Sequence, residues 1–206
     1  MEYLKSIWTE LALNYSKDVK LVARLWIEIE NAYSDKSRHY HNLSHLKYMT
    51  ERALEYMYLL NDPDSIMFSI FYHDIVYKIT RQDNEKKSAD IAEDRLTSLR
   101  VPEDKISMCK NQIMATKDHY GYTDNDTNYL VDFDLAILGD TPENYKDYTI
   151  KIRSEYAIYP DLLYKKRRKK VLRHFLDINR IFKTEVFYKK YEKKARENLK
   201  TELQQL

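Results

Sequence analysis

Apolar residues recur along nearly the whole chain at intervals of three and four, and they rarely alternate with polar ones. One stripe consists of Val22, Trp26, Ile29 and Tyr33, and a longer one of Leu43, Leu46, Thr50, Ala53, Met57 and Leu60. This spacing places apolar side chains on one face of an α-helix, which repeats about every 3.6 residues. The pattern therefore predicts an all-α protein built as a helical bundle.

Helix starts are marked near Pro63, Pro102 and Pro142, because a first helical turn tolerates proline and favours the acidic residues beside it. The stripes and these signals predict helices over residues 3–14, 17–34, 42–61, 64–78, 84–99, 102–117, 126–138, 142–158, 161–182 and 185–203. No repeat or linker divides the chain. We therefore predict one domain over residues 1–206, with the core at about 38–140 and C-terminal helices 142–206 packed on it.

Composition narrows the classes of function. The single cysteine, Cys109, excludes a disulfide framework and a CxxC zinc site, so a metal would need nitrogen and oxygen ligands. Two glycines are too few for Rossmann or P-loop phosphate cradles. The formal net charge of +2 favours no polyanionic partner. With no apolar run of roughly 20 residues and no leader in MEYLKSIWTE, we expect a cytoplasmic protein without a membrane partner.

Four of the six histidines lie in two neighbouring segments. His39, His41 and His45 fall within RHYHNLSH, and His73 follows in FYHDIVY. If the helix has begun by His41, then His41 and His45 lie one turn apart on one face. His73 and Asp74 can reach one ion between their two directions, and the apolar residues before them make Asp74 costly to bury without a cation. The clustering favours a metal over the ordinary interpretation of each histidine as a packing residue.

Two further groups of acids fall in helical segments. In RQDNEKKSAD, Asp83 is placed to cap a helix, while Glu85 shares a face with Ser88 and is placed either at the positive helix end or in a metal cavity as a proton-transfer group. In YLVDFDLAILG, Asp132 and Asp134 interrupt an apolar helix. Buried acids there need a ligand or a hydrogen-bond donor.

These residues together resemble the HD superfamily of metal-dependent phosphohydrolases, whose pattern is a histidine, a His-Asp doublet some 28 residues later and a distant aspartate. The chain looks most like a branch of small bacterial "predicted metal-dependent HD phosphohydrolases". The motifs that carry this resemblance span residues from about 3 to 203 and read RHYHNLSH, FYHDIVY, DNEKKSA, ATKDH, DFDLAILG, RSEYA and ARENLKTEL.

The resemblance implies that His45, His73, Asp74 and Asp134 are metal ligands, with Asp132 as the rival for the last place. Many members carry a glutamate shortly after the doublet, whereas no acid follows the doublet in HDIVYK. The expected catalytic residues are accordingly Asp74, Glu85, Lys117 and His119. A second metal or the substrate is expected to engage His41, Asp83, Asn84, Ser88, Asp132, Arg153 and Arg168, with His119 as the alternative to His41 for a second metal.

Basic side chains beside the motifs are expected to neutralise phosphate charge, and the candidates are Arg38, Lys78, Arg81, Lys117 and Arg153. In the run KKRRKK, six successive helical positions sweep about 500°, so at least one side chain should turn inward. The resemblance points to Arg168 as that residue, binding a phosphate or a carboxylate.

A site of imidazoles and carboxylates accepts Mn²⁺, Fe²⁺, Co²⁺, Ni²⁺, Zn²⁺ or Mg²⁺. We therefore expect hydrolysis of a phosphate monoester or phosphoanhydride in a small molecule, with a nucleotide favoured, by attack of metal-bound hydroxide. The alternatives are a non-catalytic metal or nucleotide sensor, a partner-binding helical domain, an iron oxygenase with a second metal, and a nucleic-acid-binding protein using residues 165–170. The near-neutral net charge makes nucleic acid the weakest partner, and a homo-oligomer stays open.

Overall fold

The computed structural model describes residues 2–118 and 121–206, and these form ten α-helices and no strand. The helices are α1 (Glu2–Leu13), α2 (Val19–Tyr33), α3 (Leu43–Glu55), α4 (Pro63–Tyr72), α5 (Asn84–Ser98), α6 (Glu103–Ala115), α7 (Asn125–Leu135), α8 (Pro142–Glu155), α9 (Asp161–Asp177) and α10 (Glu185–Gln205). Two 3-10 turns follow α3 and α7, at Met57–Leu59 and Ala136–Gly139. The all-α prediction is confirmed. Within these ranges, no helix combines the length and apolar character needed to cross a membrane.

Two of the three predicted helix starts have side-chain caps, whereas the start of α6 at Pro102 has none. Asp62 and Thr141 accept hydrogen bonds from the backbone amides of Ser65 and Asn144, and a proline follows each cap. These side chains satisfy amides that have no partner within the first helical turn. The helix ends agree less well with the prediction, because α4 ends at Tyr72, whereas the apolar pattern predicts a helix that continues to residue 78.

The chain divides into two compact units, Met1–Leu130 and Val131–Leu206, and the boundary falls within α7. The single domain with its core at 38–140 stays a prediction. In the first unit, α4 is buried from Ser65 to Tyr72 and packs against α3, α5 and α6. Trp8 of α1 meets the rings of Phe68 and Phe71 edge-on. A helix that is buried from Ser65 onward therefore carries the His-Asp doublet at its end.

In the second unit, α10 packs against the Ala136–Gly139 turn and against α9. Its buried stripe contains Phe187, Tyr191, Ala195 and Leu199, as the four-residue spacing predicts. A side chain at Gly139 would place its Cβ only 2.6 Å from Tyr191 Cβ and from the Tyr191 carbonyl oxygen. Glycine is required there because α10 approaches the turn so closely.

Candidate metal centre

The doublet lies where α4 ends. His73 follows the last helical residue, and its backbone amide still bonds Ser69 O. The doublet is therefore not on a continuing helix, contrary to the predicted helix over 64–78. His45 comes from the first turn of α3, whose N-cap Asn42 accepts a hydrogen bond from the amide of Ser44. Two helix ends thus bring the three side chains together.

Three donor atoms converge at this point. His45 Nε2 lies 3.2 Å from His73 Nε2, and His73 Nε2 lies 3.2 Å from Asp74 Oδ2. One ligand atom from each side chain falls within 4.8 Å of the other two. Both imidazoles are buried, whereas 16% of the Asp74 side chain is exposed. The sequence therefore predicted three residues that the structure groups together.

The tautomer of His73 matters for what this cluster can hold. Its Nδ1 lies 2.8 Å from the Ile70 carbonyl oxygen, to which it has to donate a proton. In a neutral imidazole, Nε2 then carries a lone pair and can only accept a hydrogen bond. It faces Asp74 Oδ2, which is an acceptor as well. Either a second proton or a cation has to lie between these atoms. An imidazole fixed by a carbonyl at its other nitrogen is the usual arrangement of a metal-ligating histidine.

The electrostatics of Asp74 point in the same direction. Burial by itself favours the neutral acid, but the hydrogen bond with His73 and the electrostatic influence of the His73, His41 and His45 imidazoles hold the pKa of Asp74 well below its usual range. The carboxylate is therefore ionised at neutral pH. A cation bound beside Asp74 would likewise favour the ionised carboxylate.

Aromatic rings surround the cluster. His41 precedes α3, which begins at Leu43, so His41 and His45 do not share a helix face as the sequence suggested conditionally. The two rings are nevertheless 5.6 Å apart between centroids. His41 stacks on Tyr77 at 4.2 Å, and Tyr40 lies 4.9 Å from His45. His41 therefore borders the cluster and stays a candidate for a second metal or the substrate.

Asn84 and Ser88 hold the backbone that follows the doublet. Ser88 Oγ accepts from the Val76 amide at 3.1 Å and lies 3.4 Å from the Val76 carbonyl oxygen, to which it donates. The Asn84 amide group bonds both the amide and the carbonyl of Lys78. The spacing of Asn84 and Ser88 on one face of α5 is explained by these contacts with residues 76–78.

The remaining predicted residues of this unit lie near its surface. Asp83 makes no side-chain cap to α5 and instead binds Arg81 through both carboxylate oxygens. Glu85 is half-buried in the first turn of α5. Lys117 is exposed and donates to the Gln82 carbonyl at 3.1 Å. His119 lies outside the described residues, so its predicted role stays a prediction.

Asp132 and Asp134 belong to the second unit and differ in their surroundings. Asp132 is fully buried, and its carboxylate accepts from the amide of Lys183 and from the amide and hydroxyl of Thr184. These donors account for the burial of Asp132 without a metal. Asp134 is half-buried. Asp134 as the fourth ligand stays a prediction.

The free energy of unfolding should depend on pH through Asp132. Burial raises its pKa to about 6, against the donors that favour the ionised form, whereas an unfolded aspartate has a pKa of ~3.9. Between these values the folded state binds more protons, so stability falls as the pH rises from 4 to 7, by about 2 kcal/mol. Denaturant unfolding of the wild type and of Asp132→Asn across this range measures the effect. A difference between the two proteins that is constant with pH would contradict it.

Arg153 and Arg168, also in the second unit, already bind acidic partners. Arg153 donates to Asp161 and to the carbonyls of Tyr156 and Tyr159, across the connection between α8 and α9. Arg168 is the inward-turned residue of the basic run, and its guanidinium forms a fork with the Glu202 carboxylate. Both contacts stabilise the second unit.

Comparisons with protein-family models, with curated proteins and with solved structures give no match.

Proposed function

We propose that this protein is a metal-dependent cytoplasmic hydrolase that cleaves a phosphate monoester or phosphoanhydride in a small molecule, with nucleotides as the favoured class. The convergence of His45, His73 and Asp74 carries the proposal. The resemblance to HD phosphohydrolases supports the reaction, because it implies the same three residues as ligands. Asp134 is proposed as the fourth ligand on that resemblance.

The donor set suits a divalent ion of the first transition series or Mg²⁺. Two imidazoles and a carboxylate are borderline to hard ligands, and Cys109, the only thiol in the sequence, is buried in the first unit with its pKa raised by burial to about 12. When bound, such an ion supplies Lewis-acid polarisation of a phosphoryl oxygen and makes water more acidic.

The chain's own residues would bind and orient the reactants. His73 is held by the Ile70 carbonyl, so its lone pair has a fixed direction. Asp74 keeps 16% of its side chain exposed, and its carboxylate would also orient a water by accepting a hydrogen bond. The rings of His41 and Tyr77 border the cluster and limit how a substrate approaches. Glu85 remains the proposed proton-transfer group because no acid follows the doublet in HDIVYK.

Metal analysis and a phosphate-release screen test the proposal. Purified protein is expected to contain a divalent ion, and phosphate release from nucleoside mono-, di- or triphosphates should stop on chelation and return with Mn²⁺, Co²⁺ or Ni²⁺. Asp74→Ala should abolish this release, whereas its matched control Asp90→Ala, at an exposed position of α5, should retain activity. A protein that neither contains nor is stabilised by any of these ions would contradict the metal site. Bound metal without release from any nucleotide would instead favour the sensor.

A further inference from the structure

Arg38 is one of the few charged residues that are almost completely buried, with 8% of its surface exposed. Its Nη1 donates to the Asp74 carbonyl at 2.7 Å and its Nη2 to the Ile75 carbonyl at 3.1 Å. A longer contact of 3.4 Å joins Nη1 to the His41 carbonyl. The sequence suggested a phosphate ligand, but these donors point at the protein backbone.

The same residue contacts two aromatic rings. Its guanidinium carbon lies 5.1 Å from the centroid of Tyr33 and 5.6 Å from that of Tyr77. The Tyr33 hydroxyl accepts from the Asp74 amide at 3.1 Å. Both backbone groups of Asp74 are therefore bonded to side chains, the amide to Tyr33 and the carbonyl to Arg38.

These contacts replace the bonds that the helix would have made. Because α4 ends at Tyr72, carbonyls beyond it have no partner from a further helical turn, and buried carbonyls need donors. Arg38 supplies donors to two successive carbonyls, which suits a planar guanidinium and not a single ammonium group. Its charge also lies at the negative end of α4, where a cation is favourable.

We propose that Arg38 is a positioning residue of the metal centre: by binding the carbonyls of Asp74 and Ile75, it sets the direction in which the Asp74 carboxylate meets His73. The proposal rests on the proposed function only in that it assumes a metal at His45, His73 and Asp74. Because the carbonyl of His41 is a further acceptor, Arg38 also fixes the segment that places the His41 ring on Tyr77.

Co²⁺ binding by the metal-free full-length chain tests this role. Loss of residues that orient metal ligands typically weakens affinity 10- to 100-fold. We expect Arg38→Met to bind Co²⁺ roughly 100-fold more weakly and Arg38→Lys roughly 10-fold more weakly, since lysine restores charge but not the fork. Arg24→Met, at an exposed position of α2, should bind Co²⁺ as the wild type does.

A second readout does not depend on metal. In metal-free protein, hydrogen exchange over residues 74–78 should be faster in Arg38→Met than in Arg24→Met, because the hydrogen bonds from Arg38 to this segment are lost. Tyr33→Phe removes only the hydroxyl that accepts from Asp74, so it should weaken Co²⁺ binding while keeping the ring. If Arg38→Met fails to fold, Arg38→Lys and Tyr33→Phe decide the matter by the same two measurements.

The outcomes separate this proposal from the function. Unchanged Co²⁺ affinity in folded Arg38→Met, or in both Arg38→Lys and Tyr33→Phe, overturns the positioning role, and so does a loss of thermal stability with normal affinity. A wild type that binds no Co²⁺ but binds Mn²⁺ or Zn²⁺ moves the titration to that ion. A wild type that binds none overturns both the metal function and the positioning role, whatever the exchange shows.

Discussion

Asp74→Ala is expected to weaken divalent-metal binding roughly 200-fold and to lower metal-dependent phosphate release by at least about 1000-fold. The first figure follows because structural metal sites with four ligands bind with about 10–16 kcal/mol, or about 3 kcal/mol per ligand. The second adds the loss of charge stabilisation in the transition state, which is worth several kcal/mol, at about 1.4 kcal/mol for each tenfold change in rate. The carboxylate is the only anionic member of the cluster of three.

Two measurements check this expectation. Titration with Co²⁺ gives the affinity. In thermal unfolding, excess Co²⁺ should raise the melting temperature of the wild type and of Asp90→Ala but not of Asp74→Ala, because only ions that bind the folded state stabilise it. Asp74→Asn separates charge from size, because an amide fills the same space without the negative charge. Phosphate release that survives Asp74→Ala would exclude the proposed mechanism.

The helices were predictable from the sequence because their apolar stripes and N-terminal caps are local signals. The end of α4 was not. Ile75, Val76 and Tyr77 continue the apolar run, so the pattern extends the helix past Tyr72. The bonds that replace the helical ones come from Arg38 and from α5, 36 to 37 residues before and 6 to 12 residues after the groups they bind. The spacing of apolar residues cannot predict hydrogen bonds to residues so far away in the sequence.

The candidate site shows the same division between local and distant information. The clustered histidines and Asp74 were recognisable because the residue types themselves are metal ligands, and the resemblance to HD phosphohydrolases singled out His45 among them. Arg38 was assigned to phosphate, since a basic residue beside a motif looks the same whether it meets a substrate or a carbonyl. Tyr33 was counted only in an apolar stripe, although its hydroxyl bonds Asp74. The sequence paired Ser88 with Glu85 on one face, whereas in the structure Asn84 and Ser88, four apart on α5, both bind residues 76–78.

For the basic run KKRRKK, helix geometry predicts a buried side chain but not its partner. Six successive helical positions cannot all face water, and of the run only Arg168 is buried. Its partner, Glu202, lies 34 residues away on α10, and the sequence does not indicate which acid it would be. The guanidinium also lies over the ring of Tyr148, and the hydroxyl of Tyr145 bonds the same carboxylate.

Breaking this buried ion pair should strongly destabilise the second unit. Side chains of Arg168 and Glu202 are 8% and 11% exposed, with Nε to Oε1 at 2.8 Å. Glu202→Ala leaves a buried guanidinium without its counter-charge, which costs about 3–5 kcal/mol. Denaturant unfolding measures the loss, with Glu197→Ala, exposed on the same helix, as the control expected to change stability little.

The double change Arg168→Met with Glu202→Leu should recover most of the loss, because apolar residues of similar size need no partner. A double variant no more stable than Glu202→Ala would mean that packing, and not the unpaired charge, causes the loss.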